Sequence, residues 1–128
     1  MVAEIAARAV QSVLIVDDEP EMRSLLADIL SDKGYRIDTA VDGVAALKIV
    51  VATHPDLVLL DVDMPRLRGG EALVAIRAIS PNTKVIMISG KADAGEARRA
   101  LAAGAFDYVT KPFDLNYLDE AVRIAMLS

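Results

Sequence analysis

The chain has 128 residues, no cysteine, a formal net charge of −5 and a pI near 4.8. That length suits one domain with one core. The missing cysteines exclude a disulfide framework, thiolate chemistry and a Cys-ligated metal, and the acidic balance argues against direct nucleic-acid binding, which needs a basic face. With 54% hydrophobic residues, 4% aromatics and no Trp, the core must be aliphatic. No apolar run approaches the roughly 20 residues that span a bilayer, and Met1-Val2-Ala3-Glu4 lacks the basic start of a signal peptide. A soluble cytoplasmic protein without membrane contact is the expectation.

In chain order, residues 1–11 read as an N-terminal extension. Val2, Ile5, Ala6, Ala9 and Val10 have helical spacing, which fits a helix as well as a frayed segment. Residues 12–128 then read as one domain. Strand one is Ser12–Asp17. Pro20 starts a helix to about Asp32, with Met22, Leu25, Leu26 and Ile29 on its apolar face, and Gly34 ends it. Tyr35–Ala40 alternates and has few large apolar residues, as an edge strand does. Asp42-Gly43 turns into a helix over about Val44–Thr53. Strand three, Asp56–Asp61, is uninterrupted and apolar up to its final acid, so it should be central. A loop over Val62–Arg68 leads to Gly69-Gly70 and a helix carrying Leu73, Ile76 and Ile79. Pro81-Asn82 turns into strand four, Lys84–Ser89. Gly90–Asp93 opens an Ala-rich helix over about Ala94–Ala103, whose one large apolar residue, Leu101, predicts weak packing. Strand five is about Phe106–Thr110, and a last helix runs from about Leu115 to Leu127. Short β runs in strict alternation with helices predict an α/β fold with a parallel sheet.

In such sheets the strand C-termini share one edge, where ligands bind. Asp17 and Asp18 follow strand one, Asp61 closes strand three, Ser89 closes strand four and Lys111 follows strand five. Adjacent buried anions need a counter-charge, and Mg²⁺ supplies one through oxygen ligands and retained waters. Each residue alone has a plain reading: a solvated loop or helix cap for Asp17-Asp18, a cap for Ser89, a surface lysine for Lys111. Asp61 is harder to dismiss, because a carboxylate closing an apolar central strand is out of place in a core and makes sense as a nucleophile or ligand. Three acids and a lysine on one edge suit Mg²⁺ and a phosphoryl group. No Gxxxx-GK[ST] loop is present, and Gly69-Gly70 is not one. His54, in the loop before strand three, reads as a solvated loop histidine, and Arg98-Arg99 as a solvated helix face.

Five motifs in order, Val16-Asp17-Asp18-Glu19-Pro20, Leu59-Leu60-Asp61-Val62-Asp63-Met64-Pro65, Ile88-Ser89-Gly90, Gly104-Ala105-Phe106-Asp107-Tyr108 and Lys111-Pro112-Phe113, resemble the response-regulator receiver domain of two-component signalling over about residues 12–127. The resemblance implies a flavodoxin-like, doubly wound five-stranded sheet of order 2-1-3-4-5 with five helices. It implies that Asp61 accepts a phosphoryl group, that Asp17 and Asp18 hold Mg²⁺ (or Mn²⁺) with Asp61 and the backbone carbonyl of Asp63, that Ser89 and Lys111 bind the phosphoryl oxygens, and that the Lys111–Pro112 bond is cis. Ser89 and Tyr108 stand at the family's switch positions. Asp63 and Lys91 stand at positions that tune phosphoryl lifetime, and their opposite charges suggest a bridge between them. Arg68 replaces a common acid, and Gly90 a more usual Ala. The implied donor is a sensor histidine kinase or a histidine phosphotransfer protein; an output partner, or an effector domain outside this chain, completes the pathway. The chain would be a phosphoacceptor that assists its own phosphorylation and dephosphorylation, not an enzyme. The alternative is a haloacid-dehalogenase-like phosphatase with Asp61 as nucleophile, since Asp61-Val62-Asp63 resembles its DxD. That family places DxD on its first strand and a second acidic motif after the lysine, whereas here the acid pair comes first and 17 residues follow Lys111.

Overall fold

Five short runs, the three inner ones (Ser12–Val16, Leu57–Asp61 and Lys84–Ser89) largely apolar, become five parallel strands, and the stretches between them become helices that cover both faces of the sheet. The computed structural model describes residues 10–64, 69–91 and 93–128. The order is β1 (Ser12–Val16), α1 (Pro20–Asp32), β2 (Arg36–Ala40), α2 (Gly43–Thr53), β3 (Leu57–Asp61), α3 (Gly69–Ile79), β4 (Lys84–Ser89), α4 (Ala94–Ala102), β5 (Asp107–Thr110) and α5 (Leu115–Leu127). The sheet order is β2-β1-β3-β4-β5, all parallel, with β3 central and β2 at an edge. Most of the expected N-terminal extension, together with Pro65 and Arg68 of the loop after β3, lies outside the described residues.

Strand periodicity divides the core in two. Leu14, Val16, Val58, Leu60, Val85 and Met87 face α2, α3 and α4, where Ala46, Val50, Leu73, Ile76 and Ala100 meet them. Val13, Ile15, Leu57, Leu59, Ile86 and Ile88 face α1 and α5, where Leu26, Leu30, Leu118 and Val122 close the second layer. A parallel sheet covered on both faces requires strands apolar throughout, and β1 and β3 are buried at every position.

Helix starts follow the side chains before them. Asp42, Asp93 and Asp114 each accept from backbone N–H groups in the first turns of α2, α4 and α5. α1 instead begins with Pro20 at its first position and no side-chain cap. Two placements are unexpected: Leu25, expected on the apolar face of α1, is 45% exposed while Leu26 and Leu30 are buried, and Leu101 is 47% exposed while Ala100 beside it is buried. The small residue sits on the core side of α4, so the helix contributes little apolar area, as its composition predicts.

Candidate functional site

Strand order decides which sequence-distant residues meet. β3 lies between β1 and β4, with β5 beyond β4, so the C-terminal edge gathers Asp17, Asp61, Ser89 and Lys111. Asp17 and Asp61 are each 2% exposed, and Ser89 is fully buried. Lys111 starts two strands away from Asp61, about 10 Å at the usual strand spacing. Its long stem crosses the end of β4, and Nζ donates to Asp61 Oδ2 at 3.0 Å. The backbone at the start of that reach is fixed by Lys111 N–H to the Ser89 carbonyl at 2.7 Å, and the Lys111–Pro112 bond is cis.

The other acceptors and donors of the cluster are also engaged. Asp61 Oδ1 accepts the Asp63 N–H at 2.9 Å, and Asp17 Oδ1 accepts the Glu19 N–H at 2.9 Å. Arg23 Nη1 donates to the Asp17 carbonyl at 2.8 Å. Burial, with Asp61 adding its repulsion, pushes the Asp17 carboxyl up to about 6 against the hydrogen bond from Glu19 and the charge of Lys111, which pull it down. For Lys111, burial alone would lower the ammonium's pKa; the hydrogen bond and charge of Asp61, with Asp17 and Glu19, outweigh it and hold the group above its ordinary value.

One carboxylate oxygen each from Asp17, Glu19 and Asp61 lies within 4.8 Å of the others. Three hard carboxylate oxygens, with Lys111 Nζ 3.0 Å from Asp61 and 3.9 Å from Glu19, form a set that can hold a divalent cation. Sequence reasoning missed Glu19. The chain bends at Asp18, where Asp17 Oδ1 accepts the Glu19 N–H, and this turn brings the Asp17 and Glu19 carboxylates to the same side. Asp18 is exposed and outside the acidic group.

The remaining site residues divide. Tyr108 is half-buried, and its buried hydroxyl stands near the Ser89 hydroxyl without a well-formed hydrogen bond; burial pushes its pKa up against the pull of Ser89. Lys91 donates its backbone N–H to Ser89 Oγ at 3.0 Å. A salt bridge or a water-linked pair between Asp63 and Lys91 is expected in at least one state; in this structure no ion pair among the described residues joins them, and Asp63 Oδ2 accepts the Gly90 N–H at 2.6 Å. His54 lies at the opposite edge of the sheet. It is exposed, as expected of a loop histidine, but it is not merely solvated, since its Nδ1 lies 3.0 Å from the hydroxyl of buried Ser80. Arg98 and Arg99 are exposed.

Among known proteins, the response regulator receiver domain profile matches residues 13–123. The regulatory protein AtoC of Escherichia coli is 40% identical over 118 residues, which is 92% of this chain and 26% of AtoC. The nitrogen assimilation regulatory protein NtrX of Azorhizobium caulinodans is 42% identical over 108 residues, and the chain spans only 24% of its length. The sporulation initiation phosphotransferase F of Bacillus subtilis is 34% identical, with 88% of this chain and 91% of that protein covered. Among solved structures, the chemotaxis protein CheY4 of Vibrio cholerae superposes with a TM-score of 0.85 at 30% identity, covering 91% of this chain and 99% of that one. The phosphatase alternative has no support from these matches. The chain belongs to the response regulator receiver domain family, a phosphoacceptor signalling module rather than an enzyme.

Proposed function

We propose that the chain is a phosphorylation-dependent switch in which Asp61 receives a phosphoryl group from a phosphohistidine of a sensor histidine kinase or a histidine phosphotransfer protein. The observation that carries this reading is the Asp61 carboxylate itself: buried at the end of the central strand, 3.0 Å from the Lys111 ammonium and grouped with Asp17 and Glu19. An Asp61 oxygen attacks phosphorus, the P–N bond of the donor breaks and imidazole leaves, so that an acyl phosphate forms. This chemistry asks for in-line placement and charge neutralisation more than for acid–base catalysis. Lys111 neutralises a developing phosphoryl oxygen, and the Ser89 hydroxyl supplies a donor from the adjacent strand end. Asp17, Asp18, Asp61 and the backbone carbonyl of Asp63 are the proposed Mg²⁺ ligands, with Glu19 near enough to join them. Bound Mg²⁺ supplies charge neutralisation at the phosphoryl oxygens. Ser89 and Tyr108 carry the change outward, and Asp63 and Lys91 set how long the acyl phosphate survives.

Residues 12–128 act in this reading as one receiver unit, cytoplasmic and without direct nucleic-acid contact. No helix among the described residues is long and apolar enough to cross a membrane. Output passes to a partner protein or to an effector domain outside this chain. Treatment with acetyl phosphate and Mg²⁺ should add one phosphoryl group by intact mass, and Asp61→Ala should abolish it. An adduct of equal yield in that variant would remove the assignment.

A further inference from the structure

The hydrogen bond that replaces the expected Asp63–Lys91 pair sits where the sheet opens. Val62 N–H still reaches the Ile88 carbonyl at 2.9 Å, continuing the β3–β4 ladder past the strand end. One step further, the Gly90 N–H meets the Asp63 carboxylate instead of a backbone carbonyl, at 2.6 Å. Residue 63 is thereby tied twice, since its own N–H donates to Asp61 Oδ1. Glycine at position 90 permits this approach: a Cβ there would stand 3.1 Å from Asp63 Oδ2 and crowd the carboxylate aside. Asp63 and Gly90 are both exposed, and both line the cleft beside the loops that leave β3 and β4.

We propose that Asp63 is a positioning residue that holds the site closed before phosphorylation, its carboxylate standing on the Gly90 N–H as an internal competitor for the incoming phosphoryl group. The proposal rests on the reading of Asp61 as phosphoacceptor. A phosphoryl group on Asp61 stands between the ends of β3 and β4, where the β4 side offers the Ser89 hydroxyl and the Gly90 N–H. A hydrogen bond to a carboxylate is of the stronger, charge-assisted kind, so an N–H held this way is withheld from a phosphoryl oxygen. Phosphorylation exchanges one anion for another on the same donor and releases the Asp63 side chain from the β4 loop. The released carboxylate can then pair with the exposed Lys91 side chain, one residue beyond Gly90.

The test uses the whole chain with Mg²⁺ and acetyl phosphate, the rate read by intact mass and the hydrogen bond by the Gly90 amide proton resonance. Asp63→Ala should raise the initial rate of Asp61 phosphorylation about threefold to tenfold, the factor one hydrogen bond carries. Asp63→Asn drops the charge but keeps an oxygen acceptor, so the weaker bond should raise the rate by clearly less than Asp63→Ala does. The Gly90 amide proton should move upfield in Asp63→Ala, move less in Asp63→Asn, and shift when the unmutated protein is phosphorylated. Gly90→Ala puts a Cβ 3.1 Å from Asp63 Oδ2 and strains the same contact, so it should move the rate in the same direction as Asp63→Ala, by no more, and add nothing to it in the double variant. Equal rates for Asp63→Ala and Asp63→Asn would leave only charge repulsion and overturn the proposal. A Gly90 resonance indifferent to Asp63→Ala, or additive effects of Asp63→Ala and Gly90→Ala, would overturn it equally. Absence of any adduct in the unmutated protein would instead overturn the phosphoacceptor reading, while the Gly90 resonance would still report the bond.

Discussion

Tyr108 shows how one atom can set a balance. Its ring packs against the core layer under α4, but the buried hydroxyl has only the Ser89 hydroxyl near it and makes no well-formed hydrogen bond. A buried hydroxyl left unpaired costs about 1–3 kcal/mol, so this placement is held by the apolar ring against the cost of its own oxygen. Tyr108→Phe keeps the ring and removes the oxygen. The variant should gain about 1 kcal/mol in urea denaturation, the lower part of that range. A loss of stability would mean that the hydroxyl is paired in solution.

Elements are joined at the far edge of the sheet by a chain of hydroxyls whose direction can be deduced. Pro55 O can only accept, so the Thr83 hydroxyl, 2.6 Å away, donates to it. The 2.7 Å contact between Ser80 Oγ and Thr83 Oγ1 then takes the Ser80 proton. Ser80 must in turn accept from His54, which places the proton of the neutral ring on Nδ1. The chain links the C-terminus of α2, the turn after α3 and the start of β4, and Ser80 and Thr83 are both buried. Thr83→Val strands the Pro55 carbonyl and the Ser80 hydroxyl, and should cost about 1–3 kcal/mol. Nitrogen-15 shifts of the neutral His54 ring should report the Nδ1–H tautomer, and the Nε2–H tautomer would break the deduced direction.

At the scale of the whole molecule, the acidic edge makes stability depend on pH and on cations. Asp17 holds its proton more tightly in the folded protein, at about 6 against an ordinary 3.8. Its contribution to stability is therefore full below the ordinary carboxylate value and is lost as pH rises through about 6. In chelator, the melting temperature should fall across that window, and Asp17→Asn should flatten the fall. Millimolar Mg²⁺, bound only by the native state, should raise the melting temperature by mass action, and more at pH 7 than at pH 5. A response to Mg²⁺ equal at the two pH values would count against these carboxylates as its site.

The sequence by itself determined the alternation of elements and the residues that end the strands. Apolar runs such as Val13–Val16 and Leu57–Leu60 can be satisfied only inside a sheet covered on both faces. An acid or lysine closing such a run has to emerge at the sheet's edge, so Asp17, Asp61 and Lys111 could be read as neighbours before any coordinates. Tertiary structure decided what depends on the direction of a side chain rather than its place in a pattern. The bend at Asp18, closed by the Glu19 N–H on Asp17 Oδ1, brought the Glu19 carboxylate to Asp61. Helix phase put Ala100 rather than Leu101 on the core side of α4. The register of β3 against β4 gave the Asp63 carboxylate to the Gly90 N–H, where charge alone suggested Lys91. Periodicity fixes which face a residue occupies, but among several partners within reach the winner is set by geometry and by which buried donors would otherwise go unpaired.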